Sequence, residues 1–130
     1  MFKTPLGAMV FVDSVTKSVA FYKDKLGFEF TGYWDGEKPA QEWTKPGEPP
    51  YAGFMIGGGH LGLHPNDGTR KAGNGMEFHV VVDNVDAYHK QITAKGASST
   101  EPKDEDWGGR TITLKDPDGH IWDFYHMNQG

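Results

Sequence analysis

The chain has 130 residues, a formal net charge of −5, 36% hydrophobic and 24% charged side chains, and no cysteine. This is the size and mix of one ordinary globular domain with a hydrophobic core; it excludes a disordered chain, a disulfide framework, a thiolate metal site and a cysteine nucleophile. No apolar run approaches the ~18 residues of a membrane-spanning helix, the N-terminus lacks the apolar core of a signal peptide, and no Lys/Arg cluster is present to neutralise phosphates, so the expectation is a cytoplasmic protein with neither membrane nor nucleic-acid partner.

In chain order, Met9-Val10-Phe11-Val12 reads as a β-branched strand leading to an N-cap at Ser14. Val15, Val19, Tyr22 and Leu26 then recur at helical spacing, and Gly27 stops the helix read over residues 16–25. Three strands follow, over 28–33, 51–56 and 60–64, the last two joined by a Gly57-Gly58-Gly59 turn. The Pro-, Gly- and charge-rich insertion 34–50 is expected to be a mobile loop flanking a cavity. After a polar linker, 65–75, the pattern repeats. His79-Val80-Val81-Val82 leads to an N-cap at Asp83 or Asn84, a helix over 86–95 with Val85, Tyr88 and Ile92 on one face, and a stop at Gly96. Strands are then expected over 97–101, 110–115 and 120–125, with Asp116-Pro117-Asp118-Gly119 as the final turn. Gly59-His60-Leu61 and Gly119-His120-Ile121 echo one another.

Each half is therefore β-α-β-β-β: module one over about 7–64 and module two over about 76–126, within a single domain spanning 1–130. The fold class is α+β, two tandem βαβββ modules forming a curved mixed sheet. A module of this kind has a helix on one sheet face and nothing on the other. Two modules, in one chain or across a homodimer, can set their open faces together around a cavity, a common place for a ligand site.

Phe21-Tyr22-Lys23-Asp24-Lys25-Leu26-Gly27-Phe28 resembles the opening segment of the vicinal-oxygen-chelate superfamily of glyoxalases, bleomycin-resistance proteins and extradiol dioxygenases. Trp107-Gly108-Gly109-Arg110 and Asp116-Pro117-Asp118-Gly119-His120 resemble its closing segment. The resemblance runs over about residues 7–125 and is nearest to the bleomycin-resistance members. It implies the fold but not the function, because the superfamily includes metal-dependent enzymes and metal-free drug-binding proteins. Its enzymes take four side chains to a divalent metal, and the matching positions are Gly7, Gly62, Glu77 and Asp123. Glycine has no side chain to offer, so the resemblance implies a broken site in which two carboxylates remain and require a metal, a cation, a shared proton or a nearby arginine.

Strand alternation adds candidates, since residues two apart share a face. If Glu77 faces a cavity, so does His79; if Gly62 does, so do His60 and His64; if Asp123 does, so does Tyr125. His64 and His79 with Glu77 or Asp123 make up the donor types of a displaced site for Fe, Mn, Ni or Zn. Trp34, Trp43, Tyr51 and Trp107 offer flat surfaces for planar or cationic ligands, and Arg110 is a candidate partner for an anionic group or for Asp123. Trp122 and Phe124 alternate with Asp123 and are expected to pack under the helix. The expected function is binding of a small, planar or cationic organic ligand by a homodimer in an acidic, aromatic cavity, with no cofactor required. The alternative is a divalent-metal-dependent lyase, isomerase or dioxygenase with Glu77 as general base.

Overall fold

Each half of the chain closes by pairing its last strand parallel to its first, and everything between is arranged by that pairing. The computed structural model describes all residues except Phe2, Thr4, Thr69, Lys71, Asn74, Gly75 and Gly130, so the readings of the N-terminus and linker at those positions lie outside the described residues. The chain divides into two units, residues 1–73 and 74–130.

The first unit holds β1 (Gly7–Val12), helix α1 (Val15–Val19) continuing as a π-helical segment (Ala20–Lys25), β2 (Glu29–Trp34), β3 (Pro39–Ala40), β4 (Tyr51–Ile56) and β5 (Gly59–Pro65). Its sheet has the order β1-β5-β4-β2-β3, with β1 parallel to β5 and the other pairs antiparallel. The hydroxyl of Ser14 caps the helix, accepting from the Lys17 N–H at 3.1 Å. The helix then widens, so that the Leu26 N–H reaches back five residues to the Phe21 carbonyl at 3.1 Å. Gly27, at φ 75°, takes the left-handed conformation that lets the Phe28 N–H close on the Tyr22 carbonyl. Val10, Val12, Val15, Val19, Tyr22, Leu26, Phe54, Leu61 and Leu63 form the buried core on the helix side.

The insertion 34–50 is held in place by local contacts rather than left as a free loop. Pro39–Ala40 pairs with the end of β2, the Trp43 indole donates to the Gly47 carbonyl at 2.8 Å, and Lys45 pairs with Asp35 at 3.3 Å. The Glu48 carboxylate accepts from the Ser14 hydroxyl, the Thr16 N–H and the Thr16 hydroxyl at 3.1–3.2 Å, which ties the insertion to the start of α1.

The second unit repeats the plan with β6 (Glu77–Val81), α2 (Val85–Ala94), β7 (Lys103–Asp104), β8 (Gly109–Lys115) and β9 (Ile121–Met127) in the order β6-β9-β8-β7, with β6 parallel to β9. Asn84 is the N-cap, accepting from the Ala87 N–H at 3.0 Å, and the His126 ring nitrogen accepts from the Val85 N–H at 2.8 Å. Val85, Ile92, Ile112, Leu114, Trp122 and Phe124 are buried on the helix side, as strand alternation predicts for Trp122 and Phe124.

The strand expected over 97–101 is corrected. Only a single bridge forms, Ser99 to Leu114: the Thr100 N–H donates to the Thr113 carbonyl at 2.9 Å, but the Thr113 N–H returns to the Thr100 hydroxyl rather than to a backbone carbonyl. Pro102, which has no N–H, breaks the edge before the two-residue β7.

Two local features make predictions. Ser18 is fully buried and its hydroxyl has no hydrogen-bond partner among the described residues, which costs about 1–3 kcal/mol of desolvation. Ser18→Ala is expected to raise unfolding free energy by about 1 kcal/mol in urea denaturation; a loss of stability would contradict the orphan assignment. In the β8–β9 turn, Asp116 accepts from the Asp118 and His120 N–H groups at 2.9 and 2.8 Å, and from the His120 ring at 2.7 Å. The hydrogen bond to this carboxylate raises the His120 pKa above its ordinary 6.5. His120 thus binds its proton more tightly in the folded than in the unfolded chain. The stabilisation is complete below the unfolded value and is lost as pH rises through the folded one. Denaturation midpoints should fall as pH rises above 6.5, and His120→Asn, which keeps a neutral hydrogen bond to Asp116, should flatten that slope.

Candidate ligand-binding site

On the face of the second sheet away from α2, alternation aligns Glu77 and His79 of β6, Thr111 and Thr113 of β8, and Ile121, Asp123 and Tyr125 of β9. With Glu105 and Trp107 from the segment before β8, they line a cavity of about 350 Å³. The parallel register sets His79 beside Asp123 and Glu77 beside Ile121. The His79 Nε2 lies 3.3 Å from a Glu77 oxygen and 3.5 Å from an Asp123 oxygen. Asp123 also accepts the Thr113 hydroxyl at 2.5 Å, and Glu105 accepts the Thr111 hydroxyl at 2.8 Å. Glu77 and Asp123 therefore converge on a single imidazole, while Glu105 pairs with Lys103 at 3.6 Å, and the hydroxyls of Thr111 and Thr113 fix Glu105 and Asp123 in orientation.

The aromatic wall is built by a glycine. The Trp107 indole lies across Gly109, where a Cβ would come within 2.2 Å of the ring. It meets Tyr125 edge-on, with centroids 5.5 Å apart at 81°, and remains 56% exposed. Tyr125 in turn meets His79 edge-on at 6.5 Å. An exposed indole face beside carboxylates attracts a flat cation through both the ring quadrupole and Coulomb forces.

The other candidates fall elsewhere. Arg110 has the opposite parity to Thr111 and Thr113. Its guanidinium donates to both oxygens of Asp86 at 2.8 and 2.9 Å and to Asp104 at 3.2 Å, not to Asp123. The hydrogen bonds from Arg110 hold the Asp86 carboxyl below the usual carboxylate range. Trp34, Trp43, Tyr51 and His64 belong to the first unit and are absent from the lining of this cavity. The His64 Nδ1 bonds the Pro65 carbonyl at 2.6 Å and its ring packs on Phe11 at 5.1 Å. Tyr51 shares a 2.7 Å hydrogen bond with His60. Sequence reasoning missed Glu105, Thr111, Thr113 and Ile121. The strand parity of 110–115 was the available signal for the two threonines.

The four-ligand metal set implied by the superfamily does not fit these residues. Gly7 and Gly62 occupy the register positions of the first unit that Glu77 and Asp123 occupy in the second: β1–β5 pairs Gly7 with His60 and Met9 with Gly62, as β6–β9 pairs Glu77 with Ile121 and His79 with Asp123. Neither glycine carries a donor. At Gly62 the space is already filled, since a Cβ there would lie 2.9 Å from both Met9 Sδ and the Tyr51 ring. Glu77, His79 and Asp123 remain as a three-donor group whose ligand atoms lie within 4.8 Å of one another. A second group, Asp116, Asp118 and His120, forms the β8–β9 turn, where Asp116 is committed to the hydrogen bonds described above.

Two βαβββ modules with parallel first and last strands, each with one face covered by a helix, define the glyoxalase/bleomycin-resistance class of fold. The chain belongs to the Glyoxalase/Bleomycin resistance protein/Dioxygenase superfamily, whose family model matches residues 6–124. No curated protein matches it. Among solved structures it is similar to a glyoxalase-related enzyme from Clostridium phytofermentans (TM-score 0.74, 16% identity, covering 98% of this chain and 96% of that one). It is also similar to TioX from Micromonospora sp. ML1 (0.72, 21%, covering 96% and 99%). A third is TnmS3, an antibiotic binding protein from Streptomyces sp. CB03234 (0.73, 19%, covering 98% and 99%). At these identities the likeness concerns the fold.

Gly109→Ala should displace the indole of Trp107 with little loss of fold. The expected result is a shift in the tryptophan emission of Gly109→Ala relative to the native protein, and no such shift when Trp107→Phe is already present. An unchanged spectrum in Gly109→Ala would contradict the seating of the ring on this glycine.

Proposed function

We propose that the protein binds a small organic ligand with a flat, cationic part on the open face of its second unit, without an obligate metal and as a homodimer. The observation that carries this reading is the convergence of Glu77, Glu105 and Asp123 beside the exposed Trp107 and Tyr125 around one cavity. Its volume of about 350 Å³ suits a small molecule. The carboxylates supply attraction, the aromatic rings supply a stacking surface, and His79 leaves the face net negative. Glycine at 7 and 62, and the printed description of TnmS3 as an antibiotic binding protein, support binding rather than metal catalysis. The dimer rests on family resemblance and on the open sheet faces.

The test is fluorescence titration with 9-aminoacridine, a planar cation, in the presence of a chelator. Native protein should bind it; Trp107→Ala and Glu77→Gln should each weaken binding about fivefold or more, in line with the strength of cation–π and charge contacts. Binding that vanishes with chelator, or that neither substitution changes, would refute the reading. Light scattering at micromolar concentration should give twice 14.4 kDa.

A second reading is favoured by the approach of His79 to Glu77 and Asp123. On this reading the three would hold Fe, Mn, Ni or Zn, with no part for His64, in a lyase, isomerase or dioxygenase. It predicts a rise in melting temperature on adding the metal that His79→Ala abolishes.

A further inference from the structure

The exposed indole of Trp107 stands on the turn of a hairpin whose first strand, β7, has only two residues and lies at the edge of its sheet. Lys103 faces Thr111 and Asp104 faces Arg110 across the β7–β8 pair, and alternation sends the two pairs to opposite sides of the sheet. Glu105, Trp107 and Thr111 line the cavity on one side. Asp104 and Arg110 fall on the other side, that of buried Ile112 and Leu114 beneath α2. The turn is closed by the Glu105 N–H on the Gly109 carbonyl at 2.7 Å and the Gly108 N–H on the Glu105 carbonyl at 3.1 Å. So short an edge strand adds few ladder bonds to these, and a hairpin end held that way opens at low cost. A binding surface needs its groups held in place by neighbours that are themselves fixed.

Those neighbours lie on the helix side. The Nε and Nη2 groups of Arg110 donate to the two oxygens of Asp86, in the first turn of α2, and Nη1 donates to Asp104 Oδ1 at 3.2 Å. The same Asp104 oxygen accepts the Asn128 side-chain amide at 3.0 Å. The Asn128 N–H donates in turn to the Gly108 carbonyl at 2.9 Å, one residue from Trp107. Hydrogen bonds from Asn128 and then Arg110 hold the Asp104 carboxyl below the usual carboxylate range. A guanidinium is a rigid planar fork, so the grip on Asp86 fixes the direction in which Nη1 points, and Asp104 stands in that direction. Asp86 and Asp104 are 45% and 67% exposed. Exposed ion pairs add little to global stability; what this chain of contacts sets is the position of the turn. Glu105 has a tether of its own on the cavity side, the Thr111 hydroxyl. The Trp107 ring rests on Gly109 and meets Tyr125 edge-on, and its place follows the backbone of the turn.

We infer that Arg110 is a positioning residue for the ligand site: from the helix side of the sheet it clamps Asp104 to α2 and, with Asn128, fixes the turn that presents Trp107 to the cavity. This role rests on the proposed binding of a flat cation in that cavity, but the placement of Trp107 is measured without any ligand.

Arg110→Lys and Asn128→Ala both keep the formal net charge of −5, so neither removes charge from the acidic face. A lysine ammonium cannot reproduce the fork that reaches Asp86 and Asp104 together, and Asn128→Ala removes one donor to Asp104. The full chain labelled with 5-fluorotryptophan gives a fluorine resonance for each of its four tryptophans. Trp107→Phe and Trp122→Phe identify those of Trp107 and of buried Trp122, which reports on the sheet as a whole. In both variants the Trp107 resonance should move toward its position in the urea-unfolded chain while that of Trp122 stays. Arg110→Lys should also weaken 9-aminoacridine binding about fivefold, the scale of one hydrogen bond to a charged group, and far less when Trp107→Ala is already present. Where Arg110→Lys unsettles the whole fold, Asn128→Ala decides, since it leaves the Arg110–Asp86 pair in place. If the native protein binds no 9-aminoacridine, the ligand reading of the cavity fails, and the fluorine spectra show separately whether Arg110 places Trp107. The clamp is overturned if the Trp107 resonance keeps its native position in both variants or moves only together with that of Trp122. It is equally overturned if Arg110→Lys weakens binding to the same extent with and without Trp107.

Discussion

The structure depends on one pairing used twice: the first strand of each module lies parallel to its last, β1 on β5 and β6 on β9. A parallel pair needs a long crossover, and in both modules the chain between supplies a helix that covers one face of the sheet. Once that face is covered, alternation commits every second residue of the two strands to the other face, which no helix protects. Buried Val10, Val12, Leu61 and Leu63 in the first unit, and Trp122 and Phe124 in the second, are the core side of this commitment. Met9, His60, Glu77, His79, Asp123 and Tyr125 are the open side. The chemistry of each face is thus decided by the residues that the core does not need.

The two open faces have diverged at matched positions. Where the second unit has Glu77 and Asp123, the first has Gly7 and Gly62; where the second has Thr111 and Ile121, the first has Tyr51 and His60. One face is acidic and is oriented by threonine hydroxyls. The other is a phenol and an imidazole resting on bare backbone. Glycine does related work in both, seating Trp107 through Gly109 in the second unit and Tyr51 through Gly53 and Gly62 in the first. The loss of metal-donor side chains in the first unit is therefore coupled to a gain: the space is occupied by an aromatic ring that a side chain at 62 would exclude.

Much of the fold was legible because its signals are local. Ser14, Asn84, Gly27 and Gly96 mark helix ends within a turn of the residues they serve, and the repeat of strand, helix and glycine stop in each half announces the duplicated module. The strand expected over 97–101 shortens to one bridge because Pro102 has no N–H and the Thr100 hydroxyl, not a backbone carbonyl, takes the Thr113 N–H, effects that hydropathy does not register. The site was legible wherever parity sufficed, as for Glu77, His79, Asp123 and Tyr125, which line the cavity. Arg110 was not, since its partners Asp86 and Asp104 come from α2 and β7, one of them 24 residues away. Nor was the tethering of the insertion by Glu48, whose partners at Ser14 and Thr16 lie more than 30 residues back. The widening of the first helix over Ala20–Lys25 has no counterpart in its apolar spacing.

The central claim is that the acidic face of the second unit works as a binding surface rather than as half of a metal centre. Elemental analysis of protein purified without added metal or chelator tests it most directly. The account predicts a well-folded protein carrying far less than one equivalent of Fe, Mn, Ni or Zn per chain, whose melting temperature does not rise with added divalent ions. About one equivalent per chain, lost in His79→Ala, would contradict it and give Glu77, His79 and Asp123 to a metal.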